Sequence, residues 1–154
     1  ISIGLVGSEM CIRDRYIIRQ YKKSLVLAID LLDFEHIDKV NKIVGDFTKS
    51  ENKEKIKNFF DKKVDVVISD MAVNTTGNKN LDAIVTGELC IDAMEFAIEM
   101  LNKKGKFVSK IFMGSSFNEI VADAKKKFRE VNIFKPLSSR KDSKESFIIC
   151  KFLR

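Results

Sequence analysis

The sequence predicts an α/β fold built on a mostly parallel sheet, on three observations. Apolar runs of strand length alternate with runs of helical period, the pattern of a parallel sheet covered on both faces. Three successive strand-like runs end in a carboxylate, at Asp30, Asp46 and Asp70. Roughly ten residues separate the last two strand-like runs, too few for a helical crossover, so those two are expected to pair antiparallel. The 154 residues give room for one domain, and 45% apolar with 32% charged residues excludes a disordered or membrane-embedded class.

In order along the chain, Tyr16 to Tyr21 reads as the end of a helix closed by Lys22 and Lys23, cations suited to a helix C-terminus. Ser24 to Ile29 (SLVLAI) is a continuous apolar run before Asp30, as a buried parallel strand should be. Asn41 to Val44 is a shorter strand, ending at Gly45 and Asp46. Glu51 to Phe60 reads as an amphipathic helix with Ile56, Phe59 and Phe60 inward. Val64 to Ser69 (VDVVIS) is the strand before Asp70. Leu81 to Asn102 is the longest helix, with Ile84, Leu89, Ile91, Met94, Phe96, Ala97 and Leu101 at helical spacing and Gly105 as its stop. Lys106 to Ile111 is a strand, Ser116 to Phe128 a helix, and Val131 to Phe134 and Ser146 to Phe152 the closing strands.

Composition narrows the function. Twenty-eight Lys and Arg against 22 Asp and Glu leave a net charge of +6, which permits an anionic partner such as nucleic acid without demanding one. One Pro and three Cys exclude a Pro-rich linker and a disulfide scaffold, and Cys90 and Cys150 are expected to be buried thiols of a reducing compartment. The single histidine, His36, excludes sites that need two. No apolar run reaches the roughly 18 residues that span a bilayer.

The first fifteen residues, ISIGLVGSEMCIRDR, share no periodicity with the chain from Tyr16 onward. The string GAG ATG TGT ATA AGA GAC AG encodes Glu9 to Asp14 and the first two bases of Arg15, with Gly4 to Ser8 extending the match in frame. This resembles read-through of a transposon-type sequencing adapter. Residues 1–15 are therefore expected to be non-native, and the native first strand to be missing. The competing reading is a real apolar strand, Ile1 to Val6, entering a helix at Ser8.

In an open α/β sheet, ligands sit outside the carboxyl ends of the strands. Asp is also a common cap and loop residue after any strand, but three in succession favour a shared small-molecule site. An acid after the second strand suits ribose hydroxyls, because a carboxylate accepts two hydrogen bonds from a vicinal diol. The chain has no Gly-rich phosphate loop, so a nucleoside ligand fits better than a nucleotide.

Three blocks carry a closer resemblance. They are Ser69–Asp70–Met71–Ala72–Val73–Asn74 with Gly77, then Ser109–Lys110–Ile111–Phe112–Met113–Gly114, then Lys135–Pro136 with Ser138, Ser139, Arg140, Ser143, Glu145 and Ser146. In order and spacing, from Tyr16 to the end, the chain resembles the FtsJ-like ribose 2′-O-methyltransferases, which methylate a uridine of large-subunit ribosomal RNA. The resemblance implies a Rossmann-like S-adenosylmethionine-dependent methyltransferase sheet, residues 16–154 being the C-terminal major part of one catalytic domain.

Of the family's Lys–Asp–Lys–Glu set, the resemblance assigns Asp70, Lys110 and Glu145. The first Lys and the Gly-rich cofactor turn have no counterpart, and Val73 stands where the family usually has Pro. Asp30 would bind the cofactor's ribose, and Asp46 with Phe47 its adenine, with Asp70 also at the cofactor. Methyl transfer to a ribose hydroxyl needs in-line positioning and removal of a proton. Lys110 could take that proton if a neighbouring cation favours its neutral form, while Asp70 and Glu145 orient the amines. Without the resemblance, Lys110 reads as a snorkelling strand-end lysine, Glu145 as a solvated acid and Phe47 as an ordinary core aromatic.

Lys135, Arg140, Lys141 and Lys144, with Lys103 and Lys104, are expected near the active edge, where RNA phosphates could lie; Lys125 to Lys127 read as a solvated face. The implied setting is the cytoplasm, with a monomer acting on ribosomal RNA within the large subunit and no membrane. The chain as it stands is expected to be inactive and to bind S-adenosylmethionine weakly or not at all. The alternatives are a non-catalytic RNA-binding module of the same fold and an unrelated nucleoside-binding α/β domain. Joint retention of Asp70, Lys110 and Glu145 favours the enzyme, since a binding module needs only the basic surface.

Overall fold

A computed structural model describes residues 2–6, 16–17, 19–72, 76–136 and 145–154, with residues 2–6 as backbone. In chain order these form β1 (Ser2–Val6), β2 (Leu25–Asp30), β3 (Val40–Val44), α1 (Ser50–Phe59), β4 (Val64–Ser69), α2 (Lys79–Met100), β5 (Leu101–Phe112), α3 (Phe117–Lys127), β6 (Phe128–Phe134) and β7 (Glu145–Leu153). The strands make one sheet in the order β3-β2-β1-β4-β5-β7-β6. Neighbours are parallel except β7, which is antiparallel to both β5 and β6. The short connection predicts this, since a parallel return would need a crossover element. One edge of the sheet therefore collects the ends of β1 to β6 and the start of β7.

An adapter origin for residues 1–15 would leave the slot between β2 and β4 without its native strand. Ser2–Val6 occupies that slot, with Ile3 in register with Val26 and Val66, and Leu5 with Ala28 and Ile68. An apolar run of strand length suits it, because the flanking strands would otherwise present unpaired N–H and C=O groups.

Leu27, Ile29, Val67, Phe107, Ile111, Ile148 and Cys150 face Ile56 of α1, Cys90, Ala93, Met94 and Ala97 of α2, and Ile120 and Ala124 of α3. At its centre Phe107 and Phe128, both fully buried, stack with ring centroids 6.4 Å apart. On the opposite face, among the described residues, Ile17, in a helical stretch as expected of Tyr16 to Tyr21, packs with Phe34 and Ile37 on Val26, Ala28 and Val40. All three labelled helices thus share one side of the sheet.

Two expectations within α2 are corrected. The residues it buries are Asp82, Ala83, Thr86, Gly87, Cys90, Ala93, Met94, Phe96, Ala97 and Met100, while Ile84 is exposed. Small residues let the helix lie close on the sheet, and the larger aliphatics flank that stripe. Gly105 does not stop the helix. Leu101 already turns extended (φ −71°, ψ 145°), and the register jumps from Val64↔Leu101 to Val66↔Lys106, so Gly105 lies in a bulge at the start of β5. Asn102 holds that bulge, donating to Asp65 Oδ1 at 2.8 Å and accepting from Lys104 N at 2.8 Å.

Candidate active site

The ends of β2 and β3 are tied together through backbone and one helix side chain. Gly45 N donates to Asp30 O at 2.8 Å, and the α1 residue Asn52, buried, donates through Nδ2 to Asp46 O at 2.8 Å. Asn52 comes so close that a Cβ on Gly45 would stand 2.6 Å from its Nδ2, so only glycine admits this contact. Asp30 is buried, and its Oδ1 accepts Leu32 N at 3.1 Å. Asp46 Oδ1 accepts both the N–H of Thr48 at 2.9 Å and its hydroxyl at 2.7 Å. Those two bonds, the hydroxyl's first, hold the Asp46 carboxyl below its ordinary pKa. Phe47 is a core side chain, edge-on to Phe96 at 5.3 Å between centroids and 4% exposed. Its ring packs inward, so any part Phe47 takes at the adenine falls to its backbone, and Asp46 is the polar side chain at this corner.

Across the middle of the sheet, Ser69 of β4 pairs with Ser109 of β5, so Asp70 and Lys110 follow at neighbouring positions. Both serines are buried, as is Asp70. Lys110 alternates with Phe107, Ser109 and Ile111, so it stands on the face opposite α2 and α3. From the antiparallel side β7 brings Glu145 opposite Phe112 and Phe147 opposite Lys110. Lys110 Nζ and Glu145 Oε1 form an ion pair at 2.5 Å, with the lysine 14% and the glutamate 36% exposed. Residues far apart in sequence thus meet at one edge: Asp70 after β4, Lys110 near the end of β5 and Glu145 at the start of β7.

The expected basic residues divide. Lys135 follows β6 at this same edge and is exposed. Arg140, Lys141 and Lys144, like Val73, lie outside the described residues. Lys103 and Lys104 are corrected. They belong to the start of β5, at the opposite edge of the sheet from Lys110. There Lys103 lines a cleft with Lys63, Lys126, Lys127 and Arg154, so two lysines assigned to a solvated helix face also share that cleft.

Sequence reasoning missed three contributors. Thr48 orients Asp46, and the Asp-x-Thr spacing of an Asx turn was the available signal. Asn78 caps α2, its side chain accepting from Asn80 N at 3.2 Å and Leu81 N at 3.3 Å. Asp82, buried in the first turn of α2, accepts Thr76 N at 3.0 Å and Thr76 Oγ1 at 2.8 Å. The last two fix the path of the chain beyond Asp70. Cys90 and Cys150 are buried thiols as expected, pushed up by burial to about 11 and about 12.

Among the described residues no group of three or more His, Cys, Asp or Glu side chains could hold a metal ion, and no helix is long and apolar enough to cross a membrane. The chemistry on offer is a row of carboxylates suited to hydroxyl and amine donors, beside one lysine–glutamate pair able to hold or move a proton.

Comparison with known proteins agrees with that chemistry. The family model of FtsJ-like methyltransferases matches residues 15–153. The chain is 59% identical over 154 residues to the ribosomal RNA large subunit methyltransferase E of Pelagibacter ubique (strain HTCC1062), covering 100% of this chain and 76% of the relative. The Rickettsia bellii (strain RML369-C) protein of the same name is 42% identical over 127 residues, covering 82% of this chain and 56% of its own length. Among solved structures, a protein described as a ribosomal RNA methyltransferase of Plasmodium falciparum superposes with a TM-score of 0.87 at 27% identity, covering 99% of this chain and 86% of that one. Human methyltransferase-like protein 13, solved in complex with SAH, shares the fold at a TM-score of 0.70 and 12% identity, covering 99% of this chain and 72% of that one.

Proposed function

The chain belongs to the FtsJ-like methyltransferase family, and from that membership we propose that its carboxyl-edge site methylates the 2′-hydroxyl of a ribose in large-subunit ribosomal RNA, a uridine being the nucleotide modified. The observation that carries this is the Lys110–Glu145 ion pair at 2.5 Å beside buried Asp70. S-adenosylmethionine supplies the methyl group on a sulfonium sulfur, and the donor set fits it: Asp30 suits the ribose diol and Asp46 an exocyclic amine. Asp70 lies where both cofactor and substrate would be reached. With its amine neutral, Lys110 would accept the hydroxyl proton as the ribose oxygen takes the methyl and the carbon–sulfur bond breaks to leave a neutral thioether, while Glu145 and Asp70 orient the amine.

Lys135, Arg140, Lys141 and Lys144 are the proposed phosphate contacts, reading a folded RNA by shape within the ribosomal particle. We take the protein to act as a monomer in the cytoplasm. The same proposal takes residues 1–15 as adapter-derived and 16–154 as the C-terminal major part of one catalytic domain. Genomic sequence upstream of Tyr16 tests that part: a Gly-rich turn after an apolar strand, with a Lys before it, supports it, and an unrelated sequence overturns it. The reaction is tested on product. RNA methylated by the protein encoded at this locus should resist alkaline cleavage at one uridine, because a 2′-O-methyl removes the attacking hydroxyl. Methyl label on a base would contradict the proposal.

A further inference from the structure

We infer that Phe134 is the stacking platform on which the base of the target nucleotide rests while its ribose hydroxyl meets Lys110. This rests on the reading of the site as an RNA ribose methyltransferase and adds the residue that positions the nucleotide. β6 is an edge strand, and Phe134 is its last residue, at the same edge of the sheet as Glu145. Phe134 is in register with Phe147, and Phe147 with Lys110. The three side chains therefore stand in one row on one face. With strands about 4.8 Å apart, Phe134 stands roughly 10 Å from Lys110 across that row. Phe147, between them, is half-buried, and Phe134 is 53% exposed.

The other residues of β6 on that face, Glu130 and Asn132, are polar, and the apolar side chains beside them, Phe147 and Ile149 of β7, are half-buried, so Phe134 is the aromatic of this row that stands most open to a ligand among the described residues. A nucleotide presents a hydroxyl-bearing ribose at one end and a planar base at the other. With the hydroxyl at Lys110 and phosphates toward Lys135, the row places Phe134 where the base can stack. Stacking on a phenyl face tolerates any base, so Phe134 fixes position and leaves the choice of nucleotide to the surrounding RNA. The sequence alone shows a lone Phe before Lys135–Pro136 and no aromatic platform; only the strand register brings it into line with the lysine.

The test uses the 154-residue chain and a short single-stranded RNA carrying one 5-iodouridine, which photocrosslinks to aromatic rings stacked on it. The crosslinked peptide should contain Phe134. Phe134→Leu, which keeps apolar bulk at an exposed site, should abolish that crosslink and weaken binding about ten-fold without changing the salt dependence, since no phosphate contact is lost. Phe134→Trp should retain both crosslink and affinity. A crosslink mapped elsewhere, or Phe134→Leu binding as tightly as wild type, would overturn the inference while leaving the methyltransferase reading intact. Failure of the unsubstituted chain to bind the RNA would overturn the platform, while the methyltransferase reading, in which the RNA is recognised folded, stands or falls on the methylated product.

Discussion

Asp46 shows how much of one corner of the candidate site is set within three residues. Both donors of Thr48 converge on Asp46 Oδ1, and the carboxyl is lowered for that reason. A lowered folded-state pKa favours the ionised form. The associated stabilisation is present above the ordinary carboxyl range and is lost as pH falls through the lowered value. Thr48→Val removes the hydroxyl, the larger cause, and should return Asp46 toward its ordinary value in an NMR carboxyl titration; an unmoved midpoint would contradict the assignment. That Asp30, Asp46, Asp70, Lys110 and Glu145 gather at one edge was legible in the sequence because each sits at a strand end or in a block that carries the family resemblance. Phe47 was legible as a core aromatic, but its partner Phe96 was not, because that contact depends on where α2 delivers a residue far away in sequence.

Among the elements, β4 was legible to the residue as Val64–Ser69, since an apolar run bounded by charged residues has one solution. The ends of α2 were harder. Its capping residue, Asn78, precedes the first apolar position, and its exit is decided by burial of Leu101, not by Gly105. The turn after β5 meets the first turns of α2 so closely that a Cβ on Gly114 would stand 2.8 Å from Ala83 Cβ. Backbone must move to relieve that contact, so Gly114→Ala should cost about 1–3 kcal/mol and lower Tm by several degrees in a circular-dichroism melt. An unchanged Tm would show that the turn yields without cost. Because the same turn carries the chain away from Lys110, the substitution should also reduce turnover.

The whole molecule depends on its central slot. With Ser2–Val6 paired on both sides, the sheet is continuous from β3 to β6, and the acids of β2, β3 and β4 share one edge with the lysine of β5. The directions of the strands were legible from the alternation of runs and the short last connection, and the place of the central slot from the family resemblance; Ile1 to Val6 was legible as its occupant, being apolar and of strand length, but its origin was not, because that pattern fits either one. The sequence after β1 lacks the Gly-rich turn that the family resemblance implies at the cofactor. The 154-residue chain should therefore bind S-adenosylmethionine no tighter than micromolar by calorimetry, and submicromolar binding would contradict this.

In the proposed reaction everything turns on Lys110, held by Glu145 beside Asp70, as the group that moves the proton in methyl transfer to a ribose. The decisive assay is transfer of tritiated methyl from S-adenosylmethionine to unmethylated large ribosomal subunits by the protein encoded at this locus, with and without Lys110→Ala. The variant should fold and bind the particle but transfer methyl on the order of 100-fold more slowly or worse. Transfer by Lys110→Ala at the unsubstituted rate would show that the proton leaves by another route.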